Sequence, residues 1–192
     1  TSFRLVWGGD GRASTRVEFS RNINPQWNFG FNFRSILVDK QIQRTGKGDR
    51  QTRSYYYDLY TSYKSKDSKY YGLASVRRLR HRVFENGGIF LQTDTTFNGY
   101  FADNAGPYLT QAETEVRMNS FHIYQQYQLA SPIQLYLKTD VSTQWNGFKD
   151  NGPGEPNYDD YFSFTNKDPD VDTVNVWDGM DYNSFVNEAG IK

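Results

Sequence analysis

The chain has 192 residues, with 22 basic and 22 acidic side chains, 2 His and no Cys. The absence of cysteine excludes a disulfide framework and thiolate metal sites, and the zero net charge removes any whole-chain electrostatic case for nucleic acid as a partner. A mean hydropathy of −0.82 together with 15 Tyr, 14 Phe and 4 Trp is a β signature, met both in soluble all-β domains and in barrels whose residues alternate between lipid and lumen.

Residues 1–7 predict a first strand and Gly8, Gly9, Asp10 and Gly11 a tight turn after it. In residues 15–23, Val17, Phe19 and Ile23 oppose Arg16, Glu18, Ser20 and Asn22, with Arg21 an exception on the apolar side. Asn24, Pro25 and Gln26 form a turn, and the next strand is the clearest of all. Trp27, Phe29, Phe31 and Phe33 alternate with Asn28, Gly30, Asn32 and Arg34, a period of two that helical spacing would scatter around a whole circumference.

Residues 54–64 continue the pattern: Tyr55, Tyr57, Leu59 and Tyr63 oppose Ser54, Asp58 and Ser62, although Tyr56 and Tyr60 make the second face aromatic too. A turn follows at Ser65, Lys66, Asp67 and Ser68. Residues 70–83 predict a strand whose facing stays open, because Gly72, Ala74 and Val76 compete with Tyr71, Leu73 and Leu79 for the apolar side. Phe121, Ile123, Tyr127 and Leu129 then oppose His122, Tyr124, Gln126 and Gln128. After a turn at Ala130, Ser131 and Pro132, Leu135, Leu137, Val141 and Trp145 oppose Gln134, Lys138, Asp140 and Gln144. Residues 158–165 offer a possible returning strand, and residues 166–192 read as loop or partial strand.

Tight turns alternate with long polar connections near residues 39–53, 84–113 and 147–157, the build of a membrane barrel with short periplasmic turns and extended extracellular loops. A soluble β-sandwich or lipocalin-like binding domain would show the same alternation. Three features favour the bilayer. The inferred strands run to about 10 to 14 residues, against about 5 to 6 in globular sheets and about 9 to 11 for a tilted membrane strand. Trp27, Tyr63, Tyr70 and Tyr71 gather at one set of strand ends and Trp7 and Trp145 at the other, as interfacial girdles would. Charge avoids the apolar face, where it would cost roughly 2 to 4 kcal/mol at the midplane.

The expectation is therefore an all-β, antiparallel transmembrane β-barrel of the outer-membrane type, here a partial barrel of about 6 to 8 strands. Residues 1–165 would be hairpin repeats of its wall. No apolar run reaches the roughly 18 to 20 residues of a membrane helix, and the strand pattern begins at the first residues, so a fragment of a larger barrel is expected.

Residues 20–30 (SRNINPQWNFG), 61–66 (TSYKSK) followed by Tyr70, and 85–89 (ENGGI) resemble, in order and spacing, the successive hairpins of the putative porin family of Bacteroidetes outer membranes. The likeness covers the first half of the chain well and the remainder through strand pattern alone. It implies a longer barrel in the cell outer membrane and a channel for passive diffusion of small polar solutes, and it carries no catalytic chemistry.

Alternation assigns Arg16, Glu18, Asn32, Arg34, Asp58, Lys64, His122, Lys138 and Asp140 to the lumen, with Arg78 and Arg80 beside them. It assigns Val17, Phe19, Trp27, Phe29, Phe31, Phe33, Tyr55, Tyr57, Leu59, Tyr63, Phe121, Ile123, Tyr127, Leu135, Leu137 and Val141 to lipid. Mixed-sign lining tunes ion selectivity, while the plain alternative is a hydrogen-bonded plug. The basic run at residues 77–82 suits anionic lipopolysaccharide, anionic solutes or an acid-paired rim.

Asp168, Asp170 and Asp172 have the alternating oxygen donors of a Ca²⁺ loop, but they lack its turn glycine and distal glutamate, so an exposed acidic loop is the default. No catalytic set stands out and no cofactor is expected; His122 is the residue that a hydrolase would need. The expected partners are outer-membrane lipid and lipopolysaccharide, the remaining strands of the barrel, and outer-membrane proteins if the barrel serves instead as a structural or docking component.

Overall fold

The computed structural model describes residues 1–9, 11–40, 49–91, 105–150 and 176–192, and among these described residues it has ten strands and no helix. The strands are β1 (Ser2–Trp7), β2 (Ala13–Asn22), β3 (Trp27–Asp39), β4 (Arg50–Lys64), β5 (Tyr70–Glu85), β6 (Ile89–Leu91), β7 (Ala105–Pro107), β8 (Ala112–Ala130), β9 (Ile133–Asp150) and β10 (Val176–Ile191). Eight of them form one antiparallel meander in the order β1-β2-β3-β4-β5-β8-β9-β10, and β6 and β7 pair separately within the connection from β5 to β8. Among the described residues β1 and β10 do not pair, so the sheet stays open.

Local chemistry sets the hairpin register. The Asn24 side-chain oxygen accepts hydrogen bonds from the backbone N–H groups of Gln26 and Trp27, both at 2.9 Å, which turns the chain from β2 into β3. Asp67 does the same between β4 and β5, accepting from the Ser65 hydroxyl and the Lys69 N–H, and these bonds hold its carboxyl below the usual range. Substituting Asn24→Ala removes two acceptor contacts at an exposed turn and is expected to cost about 1 kcal/mol. The urea midpoint of the folded protein in lipid vesicles measures this, and an unchanged midpoint would assign the register to strand pairing alone.

Pairing extends each strand past its hydrophobic alternation. β8 has 19 residues and β9 has 18, both longer than the apolar pattern predicts. Residues 112–113, read as the end of a long loop, are strand. So are residues 147–150 and 50–53. Beyond the apolar band both faces are polar, so alternation stops while the backbone ladder continues.

The largest departure is β10, a 16-residue strand paired along its length with β9 in a stretch expected to be loop or partial strand. Trp177, Phe185 and Ile191 share one face with Asp181, Asn183 and Asn187, while Met180, Tyr182 and Val186 share the other with Asp178 and Glu188, so neither face carries a period-two signal. The possible returning strand at residues 158–165 lies outside the described residues.

Candidate functional site

Cross-strand partners in an antiparallel sheet lie on the same face, so the register sorts every side chain. One face, here called the aromatic face, carries Phe31 in a row with Phe19, Leu59, Val76, Phe121, Val141 and Phe185. All sixteen residues assigned to lipid from the sequence fall on it. The nine principal lumen candidates, Arg16 and Lys64 among them, all fall on the opposite, polar face.

Arg78 and Arg80 do not join them. Arg78 pairs with Tyr57 and Asn119, and Arg80 with Tyr55 and Arg117, which puts both on the aromatic face. The open facing of β5 is settled the same way: Gly72, Ala74 and Val76 share the aromatic face, and Tyr71, Leu73 and Leu79 the polar one. Gly72 pairs with Tyr63 and lies against the ring of Tyr70, and the two ring centroids are 6.1 Å apart, so the missing side chain leaves room for both rings. In the basic run at residues 77–82, Arg77 and His81 fall on the polar face and Arg78, Arg80 and Arg82 on the other.

Neither face is buried in a core. Leu59, Val76 and Phe121 are 45%, 50% and 41% exposed, and among the described residues only Leu109 and Ala112 are buried hydrophobics. A sandwich or a ligand-binding barrel of ordinary size would bury one of these faces in a core. Here large apolar side chains stay exposed on both, Ile36 and Tyr71 of the polar face at 49% and 38%.

The polar face gathers charge around a hollow of about 580 Å³ in the middle of β4, β5, β8 and β9. Asp58 accepts a hydrogen bond from the Asn32 amide at 3.2 Å and lies 3.6 Å from the Arg77 guanidinium. Across the hollow, Asp140 contacts the His122 ring and lies 3.1 Å from Lys138 Nζ. Ser120 and Ser142 face each other between the two groups. Two anions and up to three cations thus line one cavity, an arrangement that presents hydrogen-bonding and charged groups of both signs to a passing solute. Arg16 pairs with Glu18 farther along the face, and Tyr136 donates to Glu188 at 2.8 Å.

Arg77, Ser75 and Glu188 are members of this face that the sequence left unassigned. The register of β5 and β10 was needed to find them, because neither strand shows a clean apolar side.

His122 invites a hydrolytic reading, since Ser75, His122 and Asp140 lie in one register row. His122 turns Nδ1 to Asp140, but among the described residues no hydrogen bond joins Ser75 to His122, so the nucleophile lacks the contact that would activate it. No group of three His, Cys, Asp or Glu able to hold a metal ion occurs among the described residues, and Asp168, Asp170 and Asp172 lie outside them.

Comparison with known proteins adds one finding. A family model described as "Putative porin" matches residues 1–192, the whole chain. No curated protein and no solved structure matches the chain.

Proposed function

We propose, from the premise that the chain belongs to the putative porin family, that it forms part of an outer-membrane channel through which small polar solutes diffuse passively. The observation that carries this reading is the division of one sheet into an aromatic face and a polar face that gathers charge of both signs. A bilayer is the solvent in which exposed Leu59, Phe121 and Phe185 are stable, because transferring apolar surface from water is worth about 25 cal/mol per Å². Backbone groups on such a wall must all be paired, which a closed barrel achieves and an open sheet does not. Further strands beside β1 and β10 complete the wall in this reading.

Transport then needs no chemistry beyond a wet lumen. The mixed-sign cluster of Asp58, Arg77, His122, Lys138 and Asp140 replaces part of a solute's hydration and sets a bias between anions and cations. Binding at such a cluster must be weak enough for the solute to leave again.

Reconstituting the barrel together with those further strands in planar bilayers tests the proposal: conductance steps are expected, and their absence in correctly inserted protein would sink it. A barrel that binds stoichiometric protein partners but conducts nothing would instead be a docking component. Substituting Lys138→Glu reverses one charge in the cluster and is expected to shift the reversal potential toward cation selectivity, with the heat-modifiable mobility of the folded barrel unchanged. An unaltered reversal potential would remove Lys138 from the conduction path.

A further inference from the structure

The aromatic face changes character abruptly on the side away from the tight turns. From Trp27 to Leu37 on β3 and from Tyr63 to Tyr55 on β4 its residues are uncharged. Toward its outer end the same face carries Arg78 and Arg80 on β5, level with Tyr57 and Tyr55, and then Arg53 on β4, Arg82 on β5, Arg117 on β8 and Lys149 on β9. Glu113, Glu115 and Asp181 are the carboxylates among them, leaving cations in excess.

The carboxylates of β8 lie underneath the cations. Glu115 is nearly buried and receives Arg80 at 2.5 Å and Arg117 at 2.6 Å, while Glu113 receives Arg82 at 3.0 Å. The guanidinium groups remain open above: the Arg80 and Arg117 side chains are 46% and 51% exposed. Arg53 and Arg78 have no carboxylate within ion-pair distance among the described residues. Arg117 also sits 4.9 Å from the centroid of the Trp145 ring, and Tyr55 and Tyr57 pair with Arg80 and Arg78, so aromatic rings mark the border between the apolar band and the cations.

If aromatic rings of this kind sit at the headgroup level of a bilayer, the next layer outward is phosphate. Guanidinium groups held in fixed positions match phosphate oxygens in bidentate geometry, and buried glutamates that orient them preserve that match. We propose that this patch binds the phosphate groups of a phosphorylated outer-leaflet lipid and so sets the height of the barrel wall in the membrane. The proposal rests on the aromatic face being the lipid face. A soluble anion is the weaker candidate, because the patch continues the apolar band and lies on the side of the sheet opposite the proposed lumen.

The test uses the full chain folded into vesicles with brominated lipid chains and containing either a bisphosphorylated lipid A or its dephosphorylated form. All four tryptophans, Trp7, Trp27, Trp145 and Trp177, lie on the aromatic face, so their quenching reports whether that face meets lipid at all. The wild type is expected to retain the bisphosphorylated lipid preferentially. R53Q/R78Q, which leaves the glutamate pairs intact, is expected to weaken retention by about 30-fold, since each arginine near an anionic membrane surface contributes roughly a factor of five. A large excess of inorganic phosphate should not displace the lipid.

Equal retention of the two lipids, equal retention by the double variant, or displacement by inorganic phosphate would each overturn the proposal. Quenching distinguishes the two levels of failure. Quenched tryptophans without phosphate preference reject this site alone, whereas unquenched tryptophans reject the lipid-facing assignment beneath it. The unchanged mobility of folded R53Q/R78Q serves as the control that loss of binding is not loss of fold.

Discussion

Phe121→Arg is expected to destabilise the folded protein in a bilayer by about 2 to 4 kcal/mol, the cost of placing a guanidinium on the lipid side near the midplane. Phe121 lies in the middle of β8, between Tyr127 near the tight turn and Arg117 at the beginning of the charged zone, so its side chain cannot readily snorkel to either surface. Its neighbours in the row are Val76 and Val141, neither of which offers a partner for charge. The control is Ser142→Arg, one row neighbour of Ser120 on the polar face, which should stay within about 0.5 kcal/mol of the wild type because that face keeps its water. Urea unfolding in vesicles, followed by tryptophan fluorescence, measures both. Equal costs for the two substitutions would show that the faces do not differ in solvent, and the membrane assignment of the sheet would fall with them.

The second large effect is expected at Gly30. The Tyr60 ring lies across this glycine from the neighbouring strand, in the place that a Cβ would occupy. Gly30→Val must therefore expel the ring or bend β3, and overpacking of this kind costs about 1 to 3 kcal/mol. Tyr60→Ala alone loses the cross-strand contact and uncovers the glycine backbone, for about 1 kcal/mol. In the double variant the valine finds room, so the two costs should fail to add. Strict additivity in a double-mutant cycle would mean that Tyr60 and Gly30 act independently and that the glycine serves some other purpose. Trp145 covers Gly147 and Tyr136 covers Gly190 in the same manner, on the aromatic and the polar face respectively.

Legibility in the sequence followed the contrast in side-chain polarity between the faces. β3 could be read from Trp27, Phe29, Phe31 and Phe33 because over residues 27–34 one side carries rings at every position and the other Asn28, Gly30, Asn32 and Arg34. β5 could be recognised as a strand but not oriented, since its aromatic-face positions are filled by Gly72, Ala74 and Val76 to make room for rings on neighbouring strands. β10 was missed because both of its faces mix polar and apolar side chains, and pattern has nothing to detect when the two environments are not distinguished. The polar outer ends of β8 and β9 were missed for a related reason: beyond the apolar band backbone pairing and ion pairs hold the strand, and neither leaves a hydrophobic period.

By itself, then, the sequence determined that this is an antiparallel β protein with a segregated aromatic face, and which residues of β2, β3, β4, β8 and β9 belong to each side, because alternation is a local consequence of strand geometry. Only the tertiary structure decided what stands beside what. Register placed Arg77 against Asp58 in the central hollow, and moved Arg78 and Arg80 from the expected lumen to the opposite face above the aromatic band. It also seated Glu113 and Glu115 beneath three arginines. The physical reason is that side-chain facing repeats every two residues within a strand, whereas the pairing of one strand with the next is set by turns, bulges and the ladder itself, and a shift of one residue exchanges the two faces.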